Sequence, residues 1–261
     1  MYKPFSDDVV AFEATDATGV VRLNRPEVHN AINEPVIDTL ELVFDRVEAD
    51  PQLRALIITG TGSKSFCAGG DLHYFATLDT REKGIEMSRR MQKLLDRLWS
   101  GQKPVIAVIN GTTLGGGCEI ITACHFRIAA STASFSYRQA SNGLITGWGG
   151  SARLFHLVGR TQALKLLLTG ESIDAAAAQQ IGLVDQIEEP RNLLEAALAF
   201  AKKISKHSPG VVATILELAK LHYQCDIDMA IERETELFGD RWTSDEFRQA
   251  IKAFQDKRLI R

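Results

Sequence analysis

Two glycine loops, each at the end of an apolar run, constrain this chain more than any other feature. The first is Ser65-Phe-Cys-Ala-Gly-Gly-Asp-Leu72; the second is Leu114-Gly-Gly-Gly-Cys-Glu119, reached through Lys103-Pro-Val-Ile-Ala-Val-Ile-Asn-Gly111. The runs before them, residues 53–59 and 104–109, are short, rich in Ile and Val and bounded by glycine, which is the pattern of strands buried on both faces. Each run therefore hands a buried strand to a turn that opens into a helix, and bare backbone N–H groups from the two turns can converge on one bound oxygen. Glycines let the chain bend sharply and let a ligand approach with no Cβ in the way. Glu119 falls in the expected first helical turn, beside those donors.

Helical periodicity fills the spaces between the strands. Asn33-Glu-Pro35 reads as an Asn cap with proline in the first turn, and Val36, Leu40, Val43 and Val47 then fall on one face. Met87, Met91, Leu94 and Leu98 mark a second helix, and the alanines at 175–178 a third. From about Arg191 the chain is helical throughout, with Leu194, Ala197, Ala201 and Ile204 on one face and Pro209-Gly210 breaking into the next helix. No linker, repeat or low-complexity tract divides the chain.

Composition excludes several classes of function. A chain of 261 residues that is 45% hydrophobic can bury an ample core. Its formal net charge is -3 and its Lys and Arg are dispersed, so it has no basic stripe of the kind a nucleic acid requires, and no nucleic-acid partner is expected. No run approaches the ~18–20 apolar residues of a membrane helix, and Met1-Tyr-Lys-Pro-Phe-Ser-Asp-Asp8 lacks a signal peptide's apolar core, so a cytoplasmic protein is expected. The four cysteines form no CxxC pair and the six histidines lie apart, which argues against a metal site. Cys67 and Cys118 read as small apolar fillers beside glycine turns, and His73 as a surface residue.

Together FCAGGDL and NGTTLGGGCE resemble the crotonase, or enoyl-CoA hydratase/isomerase, superfamily. The resemblance runs nearly end to end, through Leu23-Asn-Arg-Pro26 with Asn30-Ala31, Trp148-Gly-Gly-Ser-Ala-Arg-Leu154, Leu168-Thr-Gly170, Ile181-Gly-Leu-Val184 and Ala253-Phe-Gln-Asp-Lys-Arg258. It implies an α/β fold: a ββα spiral core with the acyl-CoA site over residues 1–190, and a C-terminal helical trimerisation region over 191–261, assembled as a homotrimer or dimer of trimers. It further implies that Ala68 and Gly116 donate the two N–H groups that grip a thioester carbonyl, and that chemistry proceeds through an enolate. Losing one such donor typically costs ~3–4 kcal/mol of barrier. Glu119 would be the acid or base, Gly69, Asp71, Gly115 and Trp148 would line the substrate, and Lys257 would meet the nucleotide phosphates. Coenzyme A enters as part of the acyl-CoA substrate, and no other cofactor is implied. Asp71 also reads as a helix N-cap, just after a Gly-Gly turn.

The chain departs from this pattern at Phe135-Ser-Tyr-Arg-Gln-Ala-Ser-Asn-Gly143, where the family's hydratases are expected to carry a second glutamate and this sequence has Gln139. A glutamine cannot carry a proton near neutral pH, although it can orient a water or the substrate. Two catalytic readings follow: a hydratase-type lyase, or a malonyl-type decarboxylase in which loss of carbon dioxide itself generates the enolate. The second reading looks to Arg138, His73 and Trp148 for the carboxylate, and Trp148 before Gly-Gly resembles the ethylmalonyl-CoA decarboxylase branch. Adjacent residues of an extended segment face opposite ways, so Arg138 and Gln139 are not expected to share a pocket. A non-catalytic member that binds coenzyme A or RNA is a third reading. His125 stands where the family is expected to carry Asp.

Overall fold

The buried runs form the centre of a mixed sheet. The computed structural model describes residues 5–6, 9–224, 226–242, 244–249 and 252. Strands β1 (Phe5–Ser6), β2 (Val10–Thr15), β3 (Thr18–Leu23), β4 (Ala55–Gly60), β6 (Val105–Ile109), β8 (Phe126–Ala130) and β11 (Gln186–Glu188) lie side by side in the order β1-β2-β3-β4-β6-β8-β11. Pairing is antiparallel up to β3 and parallel from β3 onward, with Val20 opposite Ile57 and Ile57 opposite Ile106. Every residue of β4 and β6 is buried, because parallel strands are covered on both faces.

A second, smaller sheet runs β10-β9-β7-β5 and is built from β5 (Ser65–Cys67), β7 (Thr112–Leu114), β9 (Ser134–Ser136) and β10 (Ile173–Asp174). It carries both glycine loops.

Helix α1 (Glu34–Ala49) starts where expected: the Asn33 side chain accepts from the Val36 N–H at 3.2 Å, and Val36, Leu40, Val43 and Val47 are buried. After the short α2 (Leu72–Phe75), α3 (Arg81–Ser100) buries Met91, Leu94 and Leu98, whereas Met87 lies half-buried nearer the helix start. Then come α4 (Gly116–Thr122), α5 (Gly150–Thr169) and α6 (Ala175–Gln180). The α5 run is two helices across a kink at Gly159, whose φ of 75° no helix accommodates. Helix α7 (Leu193–Ile204) packs Ala197 and Ala201 against the large sheet. Helices α8 (Pro209–Gln224) and α9 (Ile227–Trp242) pack on each other, and α8 also lies on α3. Cys225, Lys257 and the rest of the Ala253-to-Arg258 motif lie outside the described residues. No helix among the described residues is long and apolar enough to cross a membrane.

Asn30 ties the first loop to this frame. It sits buried at a φ of 58°, donates through Nδ2 to the Ser65 and Thr61 carbonyls at 2.9 and 3.1 Å, and accepts from the Arg25 N–H at 3.1 Å. Asparagine tolerates this left-handed conformation where most residues do not. Asn30→Ala should remove the side-chain partner of the Arg25 N–H and the Thr61 carbonyl and leave alanine in a left-handed backbone, lowering stability by about 2–4 kcal/mol in chemical denaturation.

Candidate active site

Parallel pairing of β5 with β7, Ser65 opposite Thr112 and Cys67 opposite Thr113, brings the two glycine turns into contact. Gly69 has a φ of 91° and a Cβ there would overlap the Gly116 nitrogen, so the close approach depends on glycine at this position. Gly115, at a φ of 50°, turns the chain into α4.

The hydrogen bonds decide which N–H groups remain for a ligand. Gly116 is the first residue of α4, so its N–H has no acceptor within the helix. The Ala68 N–H is already donated to the His29 carbonyl at 2.9 Å, which removes Ala68 as the expected second donor. Gly69 donates to the Cys67 sulfur at 3.3 Å and Gly115 to the Ser136 carbonyl at 2.9 Å, so both shape the turns rather than offer donors. The next residue, Gly70, has no acceptor for its N–H among the described residues and lines the same cleft as Gly116. Sequence pattern cannot separate Ala68 from Gly70, because the difference is made by the His29 carbonyl, distant in the chain.

That cleft has a volume of about 750 Å³ and includes Glu119, Gln139 and Trp148 among its walls. Phe75, Leu78, Ile85, Met87, Leu144 and Ile145 supply an apolar side. Glu119 is only 2% exposed. Its Oε2 accepts from the N–H groups of Trp148 at 2.7 Å and Gly150 at 2.9 Å, while Oε1 accepts longer bonds from Gln139 Nε2 at 3.2 Å and the Gly147 N–H at 3.3 Å. Burial pushes the carboxyl pKa up, and the bonds from Gly150, Trp148, Gly147 and Gln139 only partly counter it. The three backbone donors of the turn at 147–150 were not anticipated, although the Trp148-Gly-Gly motif marks their location.

Gln139 does not lie in an extended strand; it is in helical conformation at the start of a short 3-10 turn, Ala140–Asn142. Its Nε2 faces Glu119, and its Oε1 is buried without a hydrogen-bond partner among the described residues. Trp148 is buried, its Nε1 donating to Met87 Sδ at 3.3 Å, and its ring covers Gly116 so closely that a Cβ there would overlap it.

Asp71, expected both as an N-cap and as a substrate contact, caps α2 by accepting from the His73 N–H at 3.0 Å. Its other oxygen pairs with Arg25 at 2.9 Å, and it does not line the cleft. Arg25 Nη1 also donates to the Ala31 carbonyl, so the pair braces the first turn.

Arg138 and His73 are exposed and absent from the cleft lining. Burial pushes the Cys67 thiol up to about 12 and Cys118 higher, so both stay protonated fillers. His125 gains a structural explanation: its backbone N–H and Nδ1 respectively donate to and accept from the backbone of Val105, at 2.9 and 3.1 Å, anchoring the start of β6. No cluster of three metal-ligating side chains occurs among the described residues.

A family model described as enoyl-CoA hydratase/isomerase matches residues 13–260. The chain is 38% identical to a short-chain-enoyl-CoA hydratase of Clostridium acetobutylicum, over 96% of each chain. It is 36% identical to a crotonyl-CoA hydratase of Syntrophomonas wolfei, over 95% of each. The solved structure of an enoyl-CoA hydratase from Bacillus anthracis matches with a TM-score of 0.90 at 30% identity, covering 95% of this chain and 96% of that one. DspI of Pseudomonas aeruginosa matches at 0.91 and 31% identity, covering 97% and 96%.

Because the folded Glu119 holds its proton to higher pH than it does in the unfolded chain, its contribution to stability is lost as pH rises through the folded pKa. Carboxyl infrared difference spectra of wild type against Glu119→Gln should show one protonated carboxyl persisting above the ordinary glutamate range, absent from the variant.

Proposed function

The chain belongs to the enoyl-CoA hydratase/isomerase family, and on that premise we propose that it adds water across the double bond of a short enoyl-CoA. The observation that carries this reading is the juxtaposition in one cleft of a buried carboxylate, Glu119, with two turns whose Gly70 and Gly116 N–H groups are unspent. The names of the relatives support the substrate class.

In this reading the thioester oxygen sits between Gly70 and Gly116, which stabilise the negative charge that develops there as water adds to the β-carbon. Glu119 takes a proton from the water as the carbon–oxygen bond forms, then returns that proton to the α-carbon as the enolate collapses. Oε1 is the better candidate for the transfer, since its bonds are longer than those of Oε2. A raised pKa suits a carboxyl that must both accept and release a proton near neutral pH. Gln139 stands in for a second carboxylate as a hydrogen bonder, its open Oε1 accepting the second hydrogen of the water. The hydroxyl, the α-proton and the enolate electrons then balance with one proton carrier rather than two.

Of the three residues the decarboxylase reading looks to, Arg138 and His73 lie outside the cleft lining, whereas Trp148 lines it together with Arg81 and Arg89; the choice of hydration rests on the names of the relatives. The proposal extends to assembly: α9 leaves Ile231, Phe238 and Trp242 exposed, an apolar face suited to a second copy in a homotrimer or dimer of trimers.

Mass spectrometry of the purified protein with crotonyl-CoA, and in parallel with methylmalonyl- and ethylmalonyl-CoA, tests the reaction. Gain of one water by crotonyl-CoA is expected; loss of carbon dioxide from the malonyl-type thioesters without hydration would overturn the reading. Glu119→Gln should lower kcat by about 10²–10⁴-fold with little change in KM.

A further inference from the structure

The turn at 147–150 is held through both kinds of backbone group. Its Gly147, Trp148 and Gly150 N–H groups donate to the Glu119 carboxylate. Its carbonyls accept from the helices around it: Gly147 from Ser88 Oγ and Gln92 Nε2 of α3, Trp148 from Arg153 Nη2 of α5 at 2.6 Å, and Gly149 from the Arg153 backbone N–H at 3.5 Å.

Arg153 thus holds two successive carbonyls and is the only charged residue among these donors. The position matters. In the chain, the Trp148 carbonyl lies between the two N–H groups that bind Glu119 Oε2, and the peptide of the Gly149 carbonyl carries the second of them, Gly150. The guanidinium also lies against Gly149, where a Cβ would come within 3.1 Å of Nη1 and the φ is 81°. A bond to a charged donor is stronger than one between neutral groups, so Arg153 is the firmest tie on the turn.

Its charge bears on Glu119 as well. Burial disfavours the charged guanidinium, and among the groups that counter this Glu119 comes first, ahead of Cys124, Asp96 and Tyr137. Glu119 takes its hydrogen bonds from Gly147, Trp148, Gly150 and Gln139, so the attraction acts without a direct bond. The Cys118 and Cys124 thiols and the Tyr137 phenol stay protonated through burial, which leaves Asp96 of α3 as the other anion at Arg153. Arg127, whose charge reaches Cys124 and Tyr137, is neutralised by Asp185 at 2.9 Å. Arg81 and Arg89 line the cleft from α3.

We infer that Arg153 is a positioning residue: acting through the turn at 147–150, it fixes the N–H groups that aim the Glu119 carboxylate. The inference rests on Glu119 as the proton carrier of the proposed hydration. Arg153 does not line the cleft and touches no substrate. Its charge favours the ionised carboxylate, the form that takes a proton from water.

Two readouts separate this role from simple support of the fold. One is the pH dependence of kcat/KM with crotonyl-CoA; the other is infrared titration of the Glu119 carboxyl in the ligand-free protein, which needs no turnover. Arg153→Met should lower kcat by about 10–100-fold with KM within about twofold. It should also move both midpoints to higher pH by about half a pH unit, because without the cation Glu119 gives up its proton less readily. Arg153→Lys, which keeps the charge and loses the planar fork, should hold the wild-type midpoints and recover part of kcat. If Arg153→Met does not fold, Arg153→Gln, with a donor for the Trp148 carbonyl and no charge, should show the same displaced midpoints. A folded Arg153→Met or Arg153→Gln with wild-type midpoints would overturn the inference. A wild type that does not hydrate crotonyl-CoA, while its carboxyl titration moves in Arg153→Met, would overturn the proposed reaction and support the hold of Arg153 on Glu119.

Discussion

A carboxylate buried beneath an open cleft is expensive to keep, and the arrangement that keeps Glu119 there organises the residues around it. Three backbone N–H groups from the turn at 147–150 and one side-chain amide hold its two oxygens, yet burial still outweighs them and leaves the proton more tightly bound than in water. Each element nearby answers to that geometry. Gly150 has no room for a side chain because the Glu119 stem fills the space, and Gly116 has none because the Trp148 ring does. The same tryptophan therefore clamps the acid through its N–H and closes over one donor turn through its ring.

The second requirement is that two turns from different parts of the chain present free N–H groups together. The small sheet supplies it: β5 and β7 run parallel, with a register shift between Ser65 and Cys67, and their exits abut. The Arg25–Asp71 pair and Asn30 brace the first turn from behind, through bonds to the Ala31, Ser65 and Thr61 carbonyls. Neither the pair nor Asn30 lines the cleft. They fix the backbone of the first turn, which in the proposed reaction would keep Gly70 in place as charge develops on a ligand.

Much of this was legible in the sequence where the signal is local. The Asn33 cap, the apolar stripe of α1, the strands at 55–60 and 105–109, the N-cap at Asp71 and the place of Glu119 in the first turn of α4 all follow from short-range rules. What failed depended on distant partners. Ala68 and Gly70 look equally able to donate until the His29 carbonyl takes the Ala68 N–H. Gln139 was expected in an extended strand, but β9 ends at Ser136 and the chain turns, which aims the amide at Glu119. Gly159 gives no sequence sign that it kinks α5 rather than ending it. The substitution of histidine at 125 had no explanation until its ring was found bonded to the Val105 backbone.

The proposed reaction stands on the Gly70 and Gly116 N–H groups polarising a thioester carbonyl next to Glu119. Isotope-edited infrared spectroscopy of crotonyl-CoA labelled with carbon-13 at the thioester carbonyl, bound to Glu119→Gln so that it does not turn over, reads this directly. A carbonyl stretch at clearly lower frequency than that of the free thioester in water is expected. A bound carbonyl with the frequency of the free one would contradict it.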